Sequence, residues 1–289
     1  MTELLLIGAN GRVGRLLRRS WGLAGPGAPG LLRQARDGSG DLDWDPWSGA
    51  DALQRALGRR GAPAPQAALV LAGVTPRPAA PLDLNAALAR ACLDGLRAAG
   101  IGRVLFASSA AVYGAGDGRR SFSEEDAPRP DTPYGAAKLD AEAELFRDGG
   151  MEVAILRIGN VLGADALMAN AAHAAPGAPL ALDRFADGSG PVRSYIGPLS
   201  LARAVAALAA HPGPLPDVLN VAARRPVAMA DLLDAAGVPW RWSPAPDAAR
   251  QRITLDCERL AALVPHVPLA AAPAAMVAEL RAAPPGEGG

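Results

Sequence analysis

Lysine is almost absent from this sequence of 289 residues. The basic residues number 29 and include only Lys138 as lysine, so 28 are arginine. A chain that uses arginine everywhere else is expected to need, at position 138, a compact ammonium on a flexible stem, which arginine cannot supply. Acidic residues also number 29, so the net charge is zero. No basic run interleaves with aromatic residues, and the sequence therefore predicts a small-molecule partner and no nucleic acid.

Cysteine, histidine and long apolar runs are also scarce. The two cysteines, Cys92 and Cys257, lie far apart without a CxxC spacing, and the three histidines are scattered. We therefore expect neither a disulfide framework nor a metal site. The apolar run at residues 4–7 leads straight into a glycine loop and is too short for a signal peptide or a membrane span. These observations predict a cytoplasmic protein without a membrane partner.

The remaining composition is typical of a globular chain, with 50% hydrophobic and 20% charged residues. Apolar runs of strand length alternate with Ala/Leu/Arg-rich segments of helical periodicity. The predicted strands are 3–7, 31–36, 42–44, 68–72, 103–107, 153–158 and 218–221. The predicted helices are 13–21, 50–59, 82–99, 134–147, 200–210 and 229–236. This alternation predicts an α/β fold, a Rossmann-type doubly wound parallel sheet covered by helices on both faces.

The length predicts a single domain over residues 1–289 with one large core. We expect the cofactor-binding core at about 1–165 and a small irregular C-terminal substrate lobe at about 166–265, with some of this chain returning to the core, because Pro and Gly punctuate residues 176–198. The segment 266–289 is rich in Ala and Pro and ends in Pro-Pro-Gly-Glu-Gly-Gly, which predicts a frayed tail.

A glycine-rich loop follows the first predicted strand and precedes the first predicted helix. It reads Gly-Ala-Asn-Gly-Arg-Val-Gly, a GxxGxxG pattern that is weak evidence by itself in a chain with 33 glycines. Glycines allow a tight turn and close backbone approach to a pyrophosphate, whose charge the helix N-terminus favours. The residues that we expect to bind a dinucleotide here are Gly8, Asn10, Gly11, Arg12, Val13 and Gly14, with Ala72 and Gly73 after the fourth strand.

The end of the second strand bears on the choice between NAD and NADP. NAD-binding domains usually place an acidic residue there for the ribose 2′-hydroxyl, whereas an arginine accommodates a 2′-phosphate. At the end of this strand no carboxylate occurs before Asp37, while Arg36 and Arg12 are candidates to bind a phosphate. We therefore favour NADP over NAD, with arginines that merely coat the surface as the alternative. Asp45, after the weak third strand, is expected either to contact adenine or to face water.

Tyr134 and Lys138 are spaced as a catalytic pair. Pro133 precedes them and is typical of a helix start. At positions i and i+4 both side chains lie on one helix face, so the ammonium can lower the pKa of the phenol and make Tyr134 a usable acid/base. Ser109 lies at the end of the fifth strand, where ligands bind, and we expect it to orient a substrate oxygen. A hydrogen bond to the local backbone is the alternative for Ser109.

Four motifs occur in a fixed order: GANGRVG at 8–14, SSAAVYG at 108–114, YGAAK at 134–138 and RIGNVLG at 157–163. With these motifs, residues 3–225 resemble the extended short-chain dehydrogenase/reductase family, and within it the NAD-dependent epimerase/dehydratase group. The resemblance implies a triad of Ser109, Tyr134 and Lys138, with Lys138 also holding the nicotinamide ribose. It further implies hydride transfer between a substrate carbon and the nicotinamide.

The same resemblance implies substrate contacts at Asn160 and at Arg193, which is similar to the family's arginine for a substrate phosphate. A turn-forming Asn and a solvated loop arginine are the alternatives. Asn85 stands where the family often has a structural or proton-relay asparagine, and a helix cap explains it equally well. Family dehydratases carry an acidic residue just after the strand-five hydroxyl, but Ala110 and Ala111 stand there, so we do not expect dehydration.

The leading hypothesis is an NAD(P)-dependent oxidoreductase that interconverts a secondary alcohol and a ketone on a sugar-like or small polyol substrate. A nucleotide-sugar epimerase with tightly bound NAD is the enzymatic alternative. An NADP-sensing regulator is the non-enzymatic alternative, although relatives of that kind typically lose the Tyr/Lys pair. The family commonly forms dimers through paired helices, so a homodimer is possible.

Overall fold

The computed structural model describes residues 3–146, 150–175 and 177–283. The strands are β1 (Glu3–Ile7), β2 (Gly30–Ala35), β3 (Leu42–Asp43), β4 (Ala67–Val70), β5 (Arg103–Ser109), β6 (Glu152–Ile158), β7 (Asn160–Val161), β8 (Leu180–Arg184), β9 (Val192–Arg193), β10 (Tyr195–Ile196), β11 (Val218–Val221), β12 (Val227–Ala228), β13 (Trp240–Pro244) and β14 (Arg252–Ile253). The helices are α1 (Arg12–Trp21), α2 (Asp51–Gly58), α3 (Leu84–Ala98), α4 (Pro133–Phe146), α5 (Ala166–His173), α6 (Pro198–Ala209), α7 (Met229–Ala236), α8 (Glu258–Leu263) and α9 (Pro273–Ala282). Within these ranges no helix combines the length and the apolar character needed to cross a membrane.

Seven strands form the central sheet, in the order β3-β2-β1-β4-β5-β6-β11. Every neighbouring pair in this sheet is parallel. The chain moves outwards from β1 in one direction through β2 and β3, and then in the other through β4, β5 and β6. The predicted doubly wound α/β fold is therefore confirmed, and the carboxyl ends of β1 and β4 flank the point where the strand order reverses.

Alternation along β1 shows why the sheet is covered on both faces. Leu4 and Leu6 belong to one hydrophobic cluster, which includes residues of α1 and α6. Leu5 and Ile7 belong to a second cluster on the opposite face, with residues of α2, α3 and α4. Because successive side chains of a strand point to opposite faces, a strand apolar at every position must be buried on both sides.

Two boundaries matter for the site and differ slightly from the predictions. β5 continues two residues beyond its predicted end, so Ser109 is its last residue and pairs with Ile158 of β6. α4 begins at Pro133, and the Thr132 hydroxyl accepts a hydrogen bond from the Gly135 amide at 3.1 Å. Tyr134 thus lies in the first turn of α4, as predicted. The predicted end of this helix, at position 147, lies outside the described residues.

The C-terminal part of the chain forms three small sheets beside the central one: β7 with β10, β9 with β12 and β14, and β8 with β13. A separate hydrophobic cluster, which includes Leu182, Leu232 and Leu233, forms the core of this lobe. Trp240 and Trp242 pack edge to face, with ring centroids 4.7 Å apart. These small sheets lie outside the central sheet, whereas α6 and β11 from the same segment pack on or join it.

The expectation of a frayed tail from residue 266 is wrong for the described part of that segment. Residues 273–282 form α9, and Met276 and Val277 are buried in the cluster of the C-terminal lobe. The Ala/Pro-rich composition concealed a helix that begins with proline at its first position. Residues 284–289 lie outside the described residues.

Glu279 of α9 caps the N-terminus of α6. Its two carboxylate oxygens accept hydrogen bonds from the Ser200 amide at 2.8 Å and the Ser200 hydroxyl at 2.5 Å. The N-cap position of α6 is Gly197, which has no side chain to cap the helix and so leaves room for this carboxylate. The acidic group at the start of α6 is therefore supplied by a distant helix.

We expect Glu279→Gln to lower the free energy of unfolding by about 1–3 kcal/mol, because it removes a charged cap from a buried serine. Chemical denaturation measures the change. Glu258→Gln is the control, since its ion pair with Arg224 is largely exposed and should contribute no more than about 0.5 kcal/mol. Equal losses in the two variants would contradict a capping role for Glu279.

Candidate active site

Two glycines allow the loop after β1 to pack against its neighbours. Gly8 has a φ of +85°, and a Cβ there would lie 2.7 Å from the Ala72 backbone nitrogen. A Cβ at Gly14 would lie 2.5 Å from the Gly8 carbonyl oxygen. Both positions therefore exclude any other residue. α1 begins at Arg12 with no side-chain cap and no acidic residue in its first turn, a helix start suited to an anion.

A cavity of about 760 Å³ opens on one side of this loop. We call it the adenosine half. The residues that we predicted from the sequence to bind the cofactor and that line this cavity are Gly8, Asn10, Gly11, Arg36, Asp45, Ala72 and Gly73. Asp45 also accepts a hydrogen bond from the Trp47 amide at 3.1 Å and so caps a short 3-10 helix. Residues of the glycine loop and the two residues after β4, which we expected to bind a dinucleotide, therefore line this cavity.

Asp37 and Gln34 also line the adenosine half and were not among the predicted site residues. The Asp37 carboxylate accepts hydrogen bonds from the Ser39 amide at 3.1 Å and the Ser39 hydroxyl at 2.6 Å. These bonds hold the pKa of Asp37 below its usual value. Gln34 accepts a hydrogen bond from the Gly8 amide at 3.0 Å. β2 reads Gly-Leu-Leu-Arg-Gln-Ala, so Gln34 stands beside a charged residue and the sequence gives no signal specific to it.

A second cavity, of about 520 Å³, adjoins the first across the glycine loop. We call it the catalytic half. The site residues that we predicted from the sequence and that line this cavity are Gly8, Gly11, Arg12, Val13, Gly14, Gly73, Ser109, Tyr134, Lys138 and Asn160. Three elements separated in sequence, β5, α4 and β7, thus bring Ser109, Tyr134, Lys138 and Asn160 to one cavity. Among the described residues that line this half, none is acidic.

Arg12 and Arg36 lie in different halves of the cavity pair. Arg36 lines the adenosine half, whereas Arg12 lines the catalytic half. The expectation that both arginines reach the same phosphate is therefore not supported. Arg12 is the first residue of α1 and lines the same cavity as residues of β5 and α4, whereas Arg36 directly follows β2.

Burial raises the pKa of Tyr134, and the Ser109 side chain and the charge of Arg12 oppose this rise. We expected Lys138 to supply the charge that lowers the pKa of this phenol. In the structure that charge comes from Arg12, while the Lys138 ammonium donates a hydrogen bond to the Ala107 carbonyl at 2.6 Å. The Ser109 hydroxyl also accepts a hydrogen bond from the Ala111 amide at 3.2 Å. Its bond to the local backbone therefore exists together with its contact to Tyr134.

Lys138 is buried, with 5% of its surface exposed. Its ammonium lies 4.7 Å from the centre of the Phe106 ring. Burial lowers the pKa of Lys138 to about 8, and the negative charge of Glu142 opposes this effect. The one lysine of the chain is therefore an ammonium whose protonation changes near neutral pH, which a guanidinium could not provide.

Asn85 holds the loop after β4. Its side-chain oxygen accepts a hydrogen bond from the Val74 amide at 2.9 Å, and its side-chain nitrogen donates to the Val74 carbonyl at 3.0 Å. Asn85 also lines the catalytic half. The helix-cap explanation is wrong, because Asp83 occupies the N-cap position of α3.

Arg193 does not line either half of the cavity pair. Its guanidinium donates to the carbonyl oxygens of Val192 at 2.8 Å, Gln251 at 2.9 Å and Arg250 at 2.6 Å. These bonds join β9 to the segment before β14. The structure thus gives the predicted phosphate-binding arginine a role in holding the lobe, whereas Asn160 lies at the predicted cleft.

The cysteines and the acidic residues of the described chain offer no second reactive centre. Cys92 and Cys257 are buried free thiols, and burial raises the pKa of each to about 12. No group of three or more His, Cys, Asp or Glu side chains within the described ranges could hold a metal ion.

Comparison with known proteins gives a family match over most of the chain. The sequence model of the NAD dependent epimerase/dehydratase family matches residues 4–222. A UDP-glucose 4-epimerase from Azospirillum brasilense is 44% identical over 93 residues, an alignment that covers 29% of this chain and 26% of that protein. The chain thus matches only about a quarter of the length of this curated relative.

Solved structures share the whole fold at low sequence identity. MoeE5 in complex with UDP-glucuronic acid and NAD has a TM-score of 0.75 and 20% identity, covering 97% of this chain and 98% of that one. The UDP-glucose 4-epimerase from Thermus thermophilus, in complex with NAD, has a TM-score of 0.74 and 21% identity, covering 97% and 99%. These similarities extend the shared fold through the C-terminal lobe.

The single lysine allows a direct test of the environment of the site. Protein labelled with ¹³C at the ε carbon of lysine should give one signal, and its pH titration should show a pKa of about 8 for Lys138. The expected direction follows from burial, which disfavours the charged form. A midpoint at the ordinary lysine value, about 10.4, would contradict the buried placement of this ammonium.

Proposed function

Since the chain belongs to the NAD-dependent epimerase/dehydratase family of short-chain dehydrogenase/reductase enzymes, we propose that it interconverts a secondary alcohol and a ketone on a sugar-like substrate. Tyr134 transfers the proton to or from the substrate oxygen, Ser109 orients that oxygen, and Lys138 holds the cofactor ribose. The observation that carries this proposal is the catalytic half, where these three side chains and Asn160 line one cavity beside the glycine loop.

The residues at the glycine loop fit a dinucleotide. A Cβ at Gly8 or Gly14 would fill the space in which the backbone turns, and the start of α1 carries no side chain that caps its amides. Gly8, Gly11 and Gly73 line both halves, so one elongated molecule can cross the loop between them. When bound, the nicotinamide group accepts or supplies a hydride.

Tyr134 is the general acid/base of the proposed reaction. In the reducing direction its phenol donates a proton to the carbonyl oxygen, and in the oxidising direction its phenolate accepts the alcohol proton. Burial favours the neutral phenol, while Arg12 and Ser109 favour the phenolate. Burial is the larger effect, so the pKa of Tyr134 lies above its usual value and the phenol carries the proton that it donates in the reducing direction. Ser109 donates a hydrogen bond to the same substrate oxygen and so stabilises the charge that develops on it.

The end of β2 favours NADP over NAD. The strand ends at Ala35, whose methyl group cannot accept a hydrogen bond from a ribose hydroxyl, and Arg36 follows in the lining of the adenosine half. Asp37 is the first carboxylate after the end of β2 in the sequence, but one of its oxygens already accepts two hydrogen bonds from Ser39. Arg36 is therefore the side chain suited to a 2′-phosphate. An NADP-linked enzyme is expected to carry out net reduction or oxidation.

Sugar epimerisation is the second candidate. The 44% identity over 93 residues to a UDP-glucose 4-epimerase favours it, and solved UDP-glucose 4-epimerases with bound NAD share the fold. Such an enzyme retains its cofactor through the cycle and changes a stereocentre without net oxidation. The backbone contacts of Arg193 disfavour this candidate, because they occupy the guanidinium that would otherwise be available for a nucleotide phosphate.

Cofactor titration separates the two candidates. We expect the purified protein to bind NADPH more tightly than NADH, and Arg36→Ala to weaken NADPH binding by about tenfold or more, because a charge-assisted contact is lost. Cofactor fluorescence measures both affinities. Arg119→Ala is the control, since this exposed arginine lies outside both halves. Tighter binding of NADH, or cofactor that remains bound through purification, would favour the epimerase.

Turnover by Tyr134→Phe tests the acid/base role. We expect kcat/KM to fall by about 10²–10⁴-fold on any keto-sugar that the wild type reduces, because the proton donor is lost. The affinity for NADPH should change by less than about threefold, since the ring remains in place. Steady-state kinetics and fluorescence titration give the two values. Turnover at the wild-type rate would exclude Tyr134 as the acid/base.

A further inference from the structure

A buried ion pair lies behind the catalytic half. The Glu142 carboxylate and the Arg157 guanidinium approach to 2.7 Å, and only 1% and 4% of these residues' surfaces are exposed. A second hydrogen bond joins the Arg157 Nε atom to Glu142 at 3.2 Å. The Ser108 hydroxyl donates a further hydrogen bond to the same carboxylate. We call Ser108, Glu142 and Arg157 the buried triplet.

Each member of the buried triplet lies beside a residue of the proposed reaction. Ser108 directly precedes Ser109 at the end of β5. Glu142 lies one helical turn after Lys138 on α4, and so on the same helix face. Arg157 lies in β6, next to the short strand that carries Asn160. The triplet therefore cross-links β5 and α4, which carry Ser109, Tyr134 and Lys138, with β6, which directly precedes the strand of Asn160.

Stability alone does not account for this arrangement. Removing two charges from water costs about as much as their attraction returns, so a buried pair is commonly replaceable by apolar side chains. The Arg157 guanidinium also stacks over the Tyr113 ring at 4.8 Å, and the Tyr113 hydroxyl donates to Asn220 at 2.9 Å. These directional contacts fix where the carboxylate lies, which an apolar cluster would not do.

Glu142 is the negative charge that acts on Lys138. Burial lowers the pKa of Lys138, and the charge of Glu142 raises it. From α3, which packs against α4, the uncharged Asn85 reaches the same cavity. From α1, Arg12 acts on Tyr134, and from β6, Arg157 is paired with Glu142. The side chains around the ammonium thus include one carboxylate, and the ammonium donates to the Ala107 carbonyl beside Ser108.

We propose that Glu142 is a positioning residue: bonded to Ser108 and Arg157, its carboxylate fixes the end of β5, where the Ala107 carbonyl accepts the hydrogen bond of the Lys138 ammonium. The significance of this role rests on the proposed function, in which the Lys138 ammonium holds the cofactor ribose. Loss of the Glu142 charge leaves a buried ammonium without a compensating anion. Lys138 then releases its proton at lower pH.

The one lysine of the chain makes this inference measurable at a single atom. In the full chain labelled with ¹³C at the lysine ε carbon, we expect Glu142→Gln to lower the pKa of Lys138 by about one unit relative to wild type. Asp140→Asn is the matched control, because it removes an exposed carboxylate from the same helix. An unchanged pKa in Glu142→Gln, or an equal fall in Asp140→Asn, would overturn the proposal.

A second variant covers the case in which Glu142→Gln does not fold because Arg157 is left unpaired. In Glu142→Gln combined with Arg157→Met no buried charge remains uncompensated in the triplet, so folding is expected. The pKa of Lys138 should still fall, since Glu142 acts on it directly; no fall would refute the role of Glu142. The titration requires neither cofactor nor substrate. Failure of the wild type to bind NADPH would therefore refute the proposed function and leave this result standing.

Discussion

Close backbone contact at the glycine loop is the constraint on which the rest of the site depends. Gly8 and Gly14 have no space for a Cβ, so β1, the start of α1 and the chain after β4 pack against one another through backbone atoms. This contact places the N-terminus of α1 between the adenosine half and the catalytic half. Any side chain there would separate α1 from β4 and close the passage between the two halves.

The charges around this loop are divided by the fold. Arg36, at the end of β2, lies in the adenosine half, while Arg12, at the start of α1, lies in the catalytic half. Arg12 therefore acts on the pKa of Tyr134. Lys138 is buried more deeply and has a lowered pKa. Two different cations thus lie at the site: an arginine that acts on the phenol, and a buried lysine whose pKa depends on its neighbours.

Buried polar side chains hold distant elements in register throughout the molecule. Asn85 fixes the loop after β4, Gln34 accepts a hydrogen bond from the glycine loop, and Glu279 caps α6 from the C-terminal helix. Glu142 and Arg157 do the same for α4 and β6. Asn85, Gln34, Glu142 and Arg157 are buried and would be costly to bury without their partners, so each specifies one arrangement of the elements that it joins.

The sequence by itself determined the elements of the central sheet and the residues proposed as catalytic, because their signals are local. Alternating strand and helix patterns, the GxxGxxG loop and the spacing of Tyr134 and Lys138 are all read within a few residues, and the order of the motifs identified the family. Only the tertiary structure decided the partners. It separated Arg12 from Arg36, tied Arg193 to backbone carbonyls and brought Glu279 to α6. These contacts join residues far apart in the chain, and their geometry depends on how helices and strands pack, which no local pattern records.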